Sequence, residues 1–222
     1  MLFAAGFGTR MRHLTQDRPK PLIPVAGRPL IDHALALAQA VTPAVIAANL
    51  HYRADLLASH LAPKGVTTII ETPEILDTGG GLRNALSVLG DGPVLTMNTD
   101  AIWSGPNPLA ALIKAWNPNE MDALLMCVPP AQALGHDGGS DFAMDRLGRL
   151  TRGSGLIFGG AQIIKTDLLH SIDQPAFSLN LLWDKMLARQ RLFGCCYDGQ
   201  WCDVGHPEGI ALAETLLERP DV

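Results

Sequence analysis

The chain has 222 residues, 47% of them apolar, and a formal net charge of −5 at neutral pH. This length suits one large α/β domain, and the acidic balance argues against a general nucleic-acid binder, whose surface would be broadly basic. No apolar run approaches the roughly 20 residues needed to cross a bilayer, and no leader with a cleavage site is visible, so we expect a cytoplasmic protein that binds neither membrane nor nucleic acid.

Strand and helix patterns alternate from the start, which predicts βαβ units and a mainly parallel sheet. In the first half of the chain, β-branched and apolar runs predict strands, and apolar residues at helical spacing predict helices. The predicted strands are 1–4, 45–48, 66–70 and 93–97, and the predicted helices are 30–41, 54–61 and 81–89.

The second half is less regular. A hairpin is predicted from 141–144 and 149–152 around a turn that contains Gly148. The predicted strands are 123–128, 192–197 and 156–164, the last broken by Gly159-Gly160, and the predicted helices are 109–116, 179–189 and 208–217. We expect a single domain over residues 1–222.

A run near the amino end, residues 4–24, reads AAGFGTRMRHLTQDRPKPLIP. Gly6 and Gly8 follow the first predicted strand, and glycines let successive backbone N–H groups approach phosphate oxygens closely. Arg10 adds a fixed guanidinium, and Lys20 adds an ammonium that two flanking prolines hold on a stiff segment. Together these features predict a cradle for a triphosphate.

The alternative is a solvated basic face without a ligand, since tight turns often contain Gly-x-Gly. The local charge favours the cradle, because it opposes the acidic character of the whole chain. Residues 1–30 hold a single acid, Asp17, and five basic residues: Arg10, Arg12, Arg18, Lys20 and Arg28.

The chain resembles a known family through four separated motifs that occur in the family's order. They are Ala4-Ala5-Gly6-x-Gly8-Thr9-Arg10-Met11, continued by Lys20-Pro21-Leu22-x-Pro24-Val25-Ala26-Gly27-x-Pro29-Leu30; Leu76-Asp77-Thr78-Gly79-Gly80-Gly81; Asn98-Thr99-Asp100; and Trp201-x-Asp203-Val204-Gly205-x-Pro207-Glu208. The family is that of the sugar-1-phosphate nucleotidyltransferases, and the resemblance spans nearly the whole chain.

The resemblance implies a Rossmann-like, three-layer α/β fold with a mixed, mainly parallel central sheet. It implies a Mg²⁺-dependent enzyme whose substrates are an NTP and a sugar 1-phosphate and whose products are an NDP-sugar and pyrophosphate. Some relatives carry an added C-terminal β-helix domain, which we do not expect here. We expect a monomer or a small homo-oligomer.

The motifs also imply roles for individual residues. Arg10 and Lys20 would stabilise charge during transfer, and backbone groups would hold the triphosphate at Ala5, Gly6, Gly8 and Thr9. Asp100 and Asp203 match the metal-binding aspartates of the family, and carboxylates are what Mg²⁺ prefers in proteins. For an isolated aspartate at a strand end, a turn or cap role is the alternative.

A second glycine-rich turn, Thr78, Gly79 and Gly80, would line the base and ribose of the nucleotide. Without the family, it reads as a loop with Thr78 as the N-cap of the next helix. Three further residues occupy segments that contact the sugar in relatives, although surface or structural roles are the alternative for the last two: Asn49, Asp141 and Gln162.

The sequence leaves alternatives open for the substrate subtype and for the roles of two histidines. The triple glycine resembles the branch that uses UTP and N-acetylmuramate 1-phosphate; the alternatives are mannose or glucose 1-phosphate with GTP, dTTP or CTP. His13 and His206 replace residues more usual in the family. His13 is either a pH-dependent contact beside the cradle or a space-filling side chain, and His206 is either a contact with bound substrate or a space-filling side chain. A silent, nucleotide-sensing relative is disfavoured because the catalytic and metal-binding positions are all retained.

Overall fold

The computed structural model describes residues 1–90 and 92–218. The strands, in chain order, are β1 Leu2–Phe3, β2 Pro24–Val25, β3 Arg28–Pro29, β4 Ala47–Leu50, β5 Thr67–Ile70, β6 Val94–Asn98, β7 Ala101–Ser104, β8 Ala123–Val128, β9 Ala133–Leu134, β10 Phe142–Met144, β11 Leu150–Arg152, β12 Ile157–Ile164, β13 Leu192–Cys196 and β14 Gln200–Asp203. The α-helices are α1 Leu30–Ala40, α2 Ala54–Leu61, α3 Asp77–Asn84, α4 Leu86–Leu89, α5 Pro108–Ala115, α6 Asn180–Ala188 and α7 Glu208–Glu218.

The central sheet has seven strands in the order β13-β8-β12-β6-β1-β4-β5. We call β6, β1, β4 and β5 the parallel half, because all their pairings are parallel. We call β12, β8 and β13 the mixed half, because β12 runs antiparallel to both of its neighbours. This is the mixed, mainly parallel sheet that the sequence predicts.

Helices cover both faces of the sheet and give the expected three layers. The alternation of side chains along β8 shows how: Leu124, Met126 and Val128 pack on the face covered by α1, α2 and α5. Ala123, Leu125 and Cys127 pack on the opposite face with α3 and α6. Because both faces are buried, this strand reads as a continuous apolar run in the sequence.

A smaller sheet positions the carboxyl-terminal part of the chain beside the main one. Its order is β7-β14-β9, with β14 antiparallel to β7 and parallel to β9. A third apolar cluster joins this sheet to α7 and to the segment after β1, through Met11, Ile102, Cys202 and Leu216 among others. The pairing therefore fixes the end of β14 close to the end of β6.

Most predicted elements are confirmed. The boundaries of β4 differ from the prediction because of a polar residue, Asn49. The strand predicted over 45–48 lies two residues later, at Ala47–Leu50. Asn49 ends the apolar run in the sequence, but its side chain is satisfied inside the protein, so pairing continues through it. The predicted break at Gly159-Gly160 is a shift of register within one strand, and Gly160 has a φ of 89°.

The helix predicted over 81–89 begins earlier and is divided into α3 and α4. The triple glycine therefore lies inside a helix. Thr78 is not an N-cap: it is the second residue of α3, and its hydroxyl accepts a hydrogen bond of 3.0 Å from the Leu179 amide. Strands of two residues, such as β2, β3 and β9, were missed because they are too short to show any periodicity.

Candidate active site

A cleft of about 320 Å³ opens at the carboxyl ends of the parallel strands. Ligands of open α/β sheets bind at this edge. The residues that line it follow β1, β4, β5 and β6 or come from the segments packed beside them: Phe3, Ala4, Ala5, Gly6, Gly8, Thr9, Arg10, Lys20, Pro21, Asn49, Ile75, Asp77, Thr78, Asn98, Thr99, Asp100 and Gly205. The structure thus brings most of the predicted site together.

The loop after β1 makes a tight turn at its second glycine. Gly8 has a φ of 64°, and a Cβ built on it would lie 2.7 Å from the Lys20 Cβ, so only glycine fits. The Thr15 hydroxyl donates to the Gly8 carbonyl at 3.2 Å, and the loop continues into a 3₁₀ segment, Thr9–Thr15, that is interrupted by a kink at Arg12. Around Gly6 there is open space for a ligand.

Lys20 extends from this region to the end of β6. Its Nζ donates to Asp100 Oδ2 at 2.7 Å, and the residue is only 8% exposed. Lys20 begins the 3₁₀ helix Lys20–Leu22, directly after an extended Pro19 and before Pro21. The Thr99 hydroxyl donates to the Phe3 carbonyl at 2.8 Å and ties the two strand ends together.

Asp203, at the end of β14, completes a compact charged cluster. A Cβ on Gly205 would lie 3.0 Å from Arg10 Nη1 and 3.1 Å from both carboxylate oxygens of Asp203. The Val204 amide donates to the Asp100 carbonyl at 2.9 Å, which fixes the two aspartates relative to one another. Gly205 therefore makes room for an arginine and a carboxylate that face the same point.

Asp203 occupies a position that disfavours its charged form. Burial raises the pKa of Asp203 above its ordinary value, and the charge of Asp100 raises it further. Lys20 and Arg10 oppose this shift without cancelling it. Across the described ranges, no three His, Cys, Asp or Glu side chains form a preassembled metal site. Asp100 and Asp203 could therefore hold a cation only together with ligands from water or substrate.

The wall beyond the phosphate loop contains a buried acid that the sequence analysis missed. Glu71 is 2% exposed, and its carboxylate accepts hydrogen bonds of 2.8 Å from Asn49 Nδ2 and from the Leu76 amide. Asn49 in turn accepts from the Ala4 amide at 3.0 Å. Glu71 directly follows β5, so a charged residue behind a β-branched run was the available signal.

The glycines of α3 have a packing role in addition to any contact with a nucleotide. A Cβ on Gly79 would clash with the Phe177 ring, and one on Gly80 would lie 2.5 Å from the Pro175 carbonyl oxygen. Both glycine amides donate to the Phe177 carbonyl. Neither glycine lines the cleft, whereas Thr78 does, so the predicted contact of Gly79 and Gly80 with a nucleotide stays a prediction.

Asp77 and His206 add polar groups that the motifs did not assign. Asp77 lines the cleft with a φ of 59°, unusual for a non-glycine residue, and its Oδ1 accepts from the Thr78 amide at 2.6 Å. His206 Nε2 lies 3.4 Å from Arg10 Nη1. His13 instead lines a separate depression with Arg18 and is not among the residues of the cleft.

Two of the three predicted sugar-binding residues lie away from the cleft. Asp141 accepts a hydrogen bond of 2.8 Å from the Phe158 amide, and Gln162 is buried with its Oε1 accepting from Trp183 Nε1 at 2.9 Å. Asn49 lines the cleft on the parallel half. The roles of all three in sugar binding stay predictions.

No helix within residues 1–90 and 92–218 is both long and apolar enough to cross a membrane.

The fold, the phosphate cradle and the charged cluster define a nucleotidyltransferase, and comparisons with known proteins agree. The profile of the MobA-like NTP transferase domain matches residues 1–190. The chain is 39% identical to N-acetylmuramate alpha-1-phosphate uridylyltransferase of Caulobacter vibrioides, over 98% of this chain and 96% of the relative. It is 30% identical to mannose-1-phosphate guanyltransferase of Debaryomyces hansenii, over its full length and 66% of that relative.

Solved structures share the fold. HddC from Yersinia pseudotuberculosis, complexed with GMP-PN, matches with a TM-score of 0.76 and 21% identity over 98% of both chains. A putative glucose-1-phosphate thymidylyltransferase from Bacillus anthracis matches with a TM-score of 0.78 and 16% identity, over all of this chain and 95% of the other. The chain belongs to the MobA-like NTP transferase domain family and, within it, to the sugar-1-phosphate nucleotidyltransferases, as the motifs predicted.

Proposed function

We propose that the protein transfers a uridylyl group from UTP to N-acetyl-α-muramate 1-phosphate, releases pyrophosphate, and requires Mg²⁺. The observation that carries this proposal is the 39% identity, over almost the whole chain, to a relative named for that reaction. In this role the protein would act in the cytoplasm in the reuse of cell-wall sugar.

The proposed chemistry needs no general base. A phosphate monoester has a second pKa of about 6, so the sugar 1-phosphate is already largely a dianion near neutral pH. One of its oxygens forms a bond to the α-phosphorus of UTP, the bond from that phosphorus to the oxygen bridging the β-phosphorus breaks, and pyrophosphate leaves. The protein has to position the two anions and stabilise the charge.

The chain's own residues supply both. The loop at Gly6 and Gly8 would hold the β- and γ-phosphates through backbone N–H groups, with Arg10 beside the leaving pyrophosphate. Lys20, fixed by Asp100 at 2.7 Å, would contact an oxygen of the transferred phosphate. These charges converge on one edge of the cleft, where they would stabilise the negative charge that develops during transfer.

The residues that would hold Mg²⁺ are Asp100 and Asp203. The raised pKa of Asp203 supports this assignment, because burial and the nearby charge of Asp100 both disfavour its charged form and a bound cation would offset that cost. When bound, the ion would neutralise phosphate charge and orient substrate oxygens.

A second candidate is a guanylyl transfer, and Asp77 favours it. A carboxylate can accept two hydrogen bonds from the N1–H and N2–H₂ donors of guanine, whereas uracil presents a single N–H between two carbonyl oxygens. One oxygen of Asp77 is already bonded to the Thr78 amide, which weakens this alternative. The guanyltransferase relatives use GTP by name, so the test has to include it.

The test is pyrophosphate release, with Mg²⁺, over a grid of NTPs and of sugar 1-phosphates that includes N-acetylmuramate, N-acetylglucosamine, glucose and mannose 1-phosphates. We expect a signal with UTP and the muramate compound. A signal confined to another pair would overturn the substrate assignment and keep the mechanism. No turnover with any pair, from protein with an intact fold, would favour a nucleotide-sensing role.

A further inference from the structure

The turn that follows β9 brings a histidine to the metal-binding aspartate. His136 Nε2 lies 3.1 Å from the Gly139 carbonyl oxygen, and Nδ1 lies 3.9 Å from Asp203 Oδ2. A carbonyl oxygen only accepts, so Nε2 has to carry the hydrogen in this contact. In the neutral imidazole, Nδ1 then presents a lone pair toward the carboxylate.

The position of this imidazole is determined by the small sheet. Residue 135 is a glycine with a φ of 67°, and a Cβ there would lie 2.6 Å from the Asp203 carbonyl oxygen. The His136 ring lies 5.9 Å from the ring of Trp201, which belongs to the same strand as Asp203. The parallel pairing of β9 with β14 therefore brings the histidine to the carboxylate.

The remaining gap defines what fits between the two groups. At 3.9 Å the atoms are too far apart for a direct hydrogen bond, and both are acceptors when the histidine is neutral. A hydrated cation satisfies both, because the carboxylate can bind the ion while a water on the ion donates to Nδ1. Mg²⁺ keeps several of its waters in protein sites. His136 is not among the residues lining the nucleotide cleft, so it reaches the cluster from another side.

We propose that His136 is a positioning residue for the magnesium centre: its Nδ1 accepts a hydrogen bond from a water bound to the cation that Asp203 holds. The proposal rests on the metal role proposed above for Asp203. Histidine and carboxylate partners around a metal orient its ligands, and their loss weakens metal affinity by roughly 10–100-fold.

The test measures Mn²⁺ binding by electron paramagnetic resonance, with Mn²⁺ alone and with a non-hydrolysable NTP analogue, so it does not depend on turnover. Three variants separate the two ring nitrogens. His136→Gln retains a group near the position of Nε2, His136→Asn retains an acceptor near that of Nδ1, and His136→Phe keeps only the ring beside Trp201. We expect the Kd for Mn²⁺ to rise on the order of tenfold in the Gln and Phe variants and to change little in the Asn variant.

Two controls make the outcomes distinct. His170→Asn changes an exposed histidine that follows β12. The end of β12 pairs with the start of β6, so His170 lies at the edge of the sheet opposite the cleft, and this variant should leave the Kd for Mn²⁺ unchanged. Asp203→Asn should abolish tight Mn²⁺ binding. If it does not, the metal assignment fails and this inference fails with it.

If Asp203→Asn abolishes binding but His136→Gln and His136→Phe bind Mn²⁺ as the unchanged protein does, only the role of His136 is overturned. A higher KM for the sugar 1-phosphate with unchanged Mn²⁺ affinity would also overturn it and would assign the histidine to the acceptor substrate. Equal losses in all three His136 variants, including Asn, would overturn the claim that Nδ1 carries the effect.

Discussion

The parallel and mixed halves of the central sheet differ in how the polar residues near their strand ends are placed. At the ends of β1 and β6, polar groups face an open cleft: the loop at Gly6 has space around it, and Asp100 points at Lys20 from the cleft wall. Beside and within the mixed half, two residues expected to bind sugar do not line the cleft: Asp141 accepts from the Phe158 amide, and Gln162 accepts from Trp183. The parallel half therefore places its predicted binding groups on the cleft, with Asp100 paired to Lys20 there, whereas Asp141 and Gln162 are bonded elsewhere in the protein.

The largest expected effect comes from the charged cluster at the end of β6. Replacing Asp100 by Ala should lower kcat by roughly 10²–10³-fold or more, since it removes a proposed metal ligand and the partner that fixes Lys20. Pyrophosphate release at saturating substrates measures this, and thermal unfolding followed by circular dichroism checks that the fold is intact. Full activity of Asp100→Ala with Mg²⁺ would show that the metal assignment is wrong.

The phosphate loop should tolerate no side chain at its second glycine. Gly8→Ala combines a left-handed φ of 64° with a contact of 2.7 Å to the Lys20 Cβ, so Lys20 has to move. A displacement of about 1 Å at a reacting centre costs on the order of a hundredfold in kcat.

The matched control for Gly8 is Gly27→Ala, where φ is 73° but no atom lies within 4 Å of the new Cβ. It should cost only the backbone strain, roughly 1–2 kcal/mol of the free energy of unfolding, without a change in kcat. Similar kinetic losses in the two variants would mean that strain, and not the position of Lys20, controls activity.

Asp100 and Gly8 could be predicted as site residues because each lies within a few positions of a predicted strand end. His136 could not, since it belongs to no motif and its importance depends on partners from another strand. Glu71 follows a predicted strand directly, but its partners Asn49 and Leu76 are not marked by that position. Phe177 is a clearer case: it packs against Gly79, far along the chain, and no local pattern connects them. The sequence therefore predicts the fold class and most elements along the chain better than it predicts the contacts between distant segments.

That long-range contact gives a smaller, separable effect. Gly79→Ala should destabilise the protein by about 1–3 kcal/mol, because its new methyl group overlaps the Phe177 ring. Phe177→Leu should cost stability alone but should relieve the overlap when combined with Gly79→Ala. Urea unfolding of both single variants and the double variant measures the coupling; strictly additive losses would contradict direct packing between the two residues.

The smallest effect concerns the end of β14 in the small sheet, where Asp203 carries a pKa raised above its ordinary value of 3.8 by burial and by Asp100. Since the folded protein binds this proton more tightly than the unfolded chain, its contribution to stability is present below pH 3.8 and is lost as the pH rises through the raised pKa. With EDTA at neutral pH, Asp203→Asn should therefore be more stable than the unchanged protein. When urea unfolding is repeated at decreasing pH, this difference in the free energy of unfolding should disappear at the lowest pH. Mg²⁺ should reverse the order, because it stabilises only the protein that retains the carboxylate. If Asp203→Asn is instead less stable at neutral pH without metal, the carboxylate is held by Lys20 and Arg10 as a structural ion pair, and the charged cluster is complete without a cation.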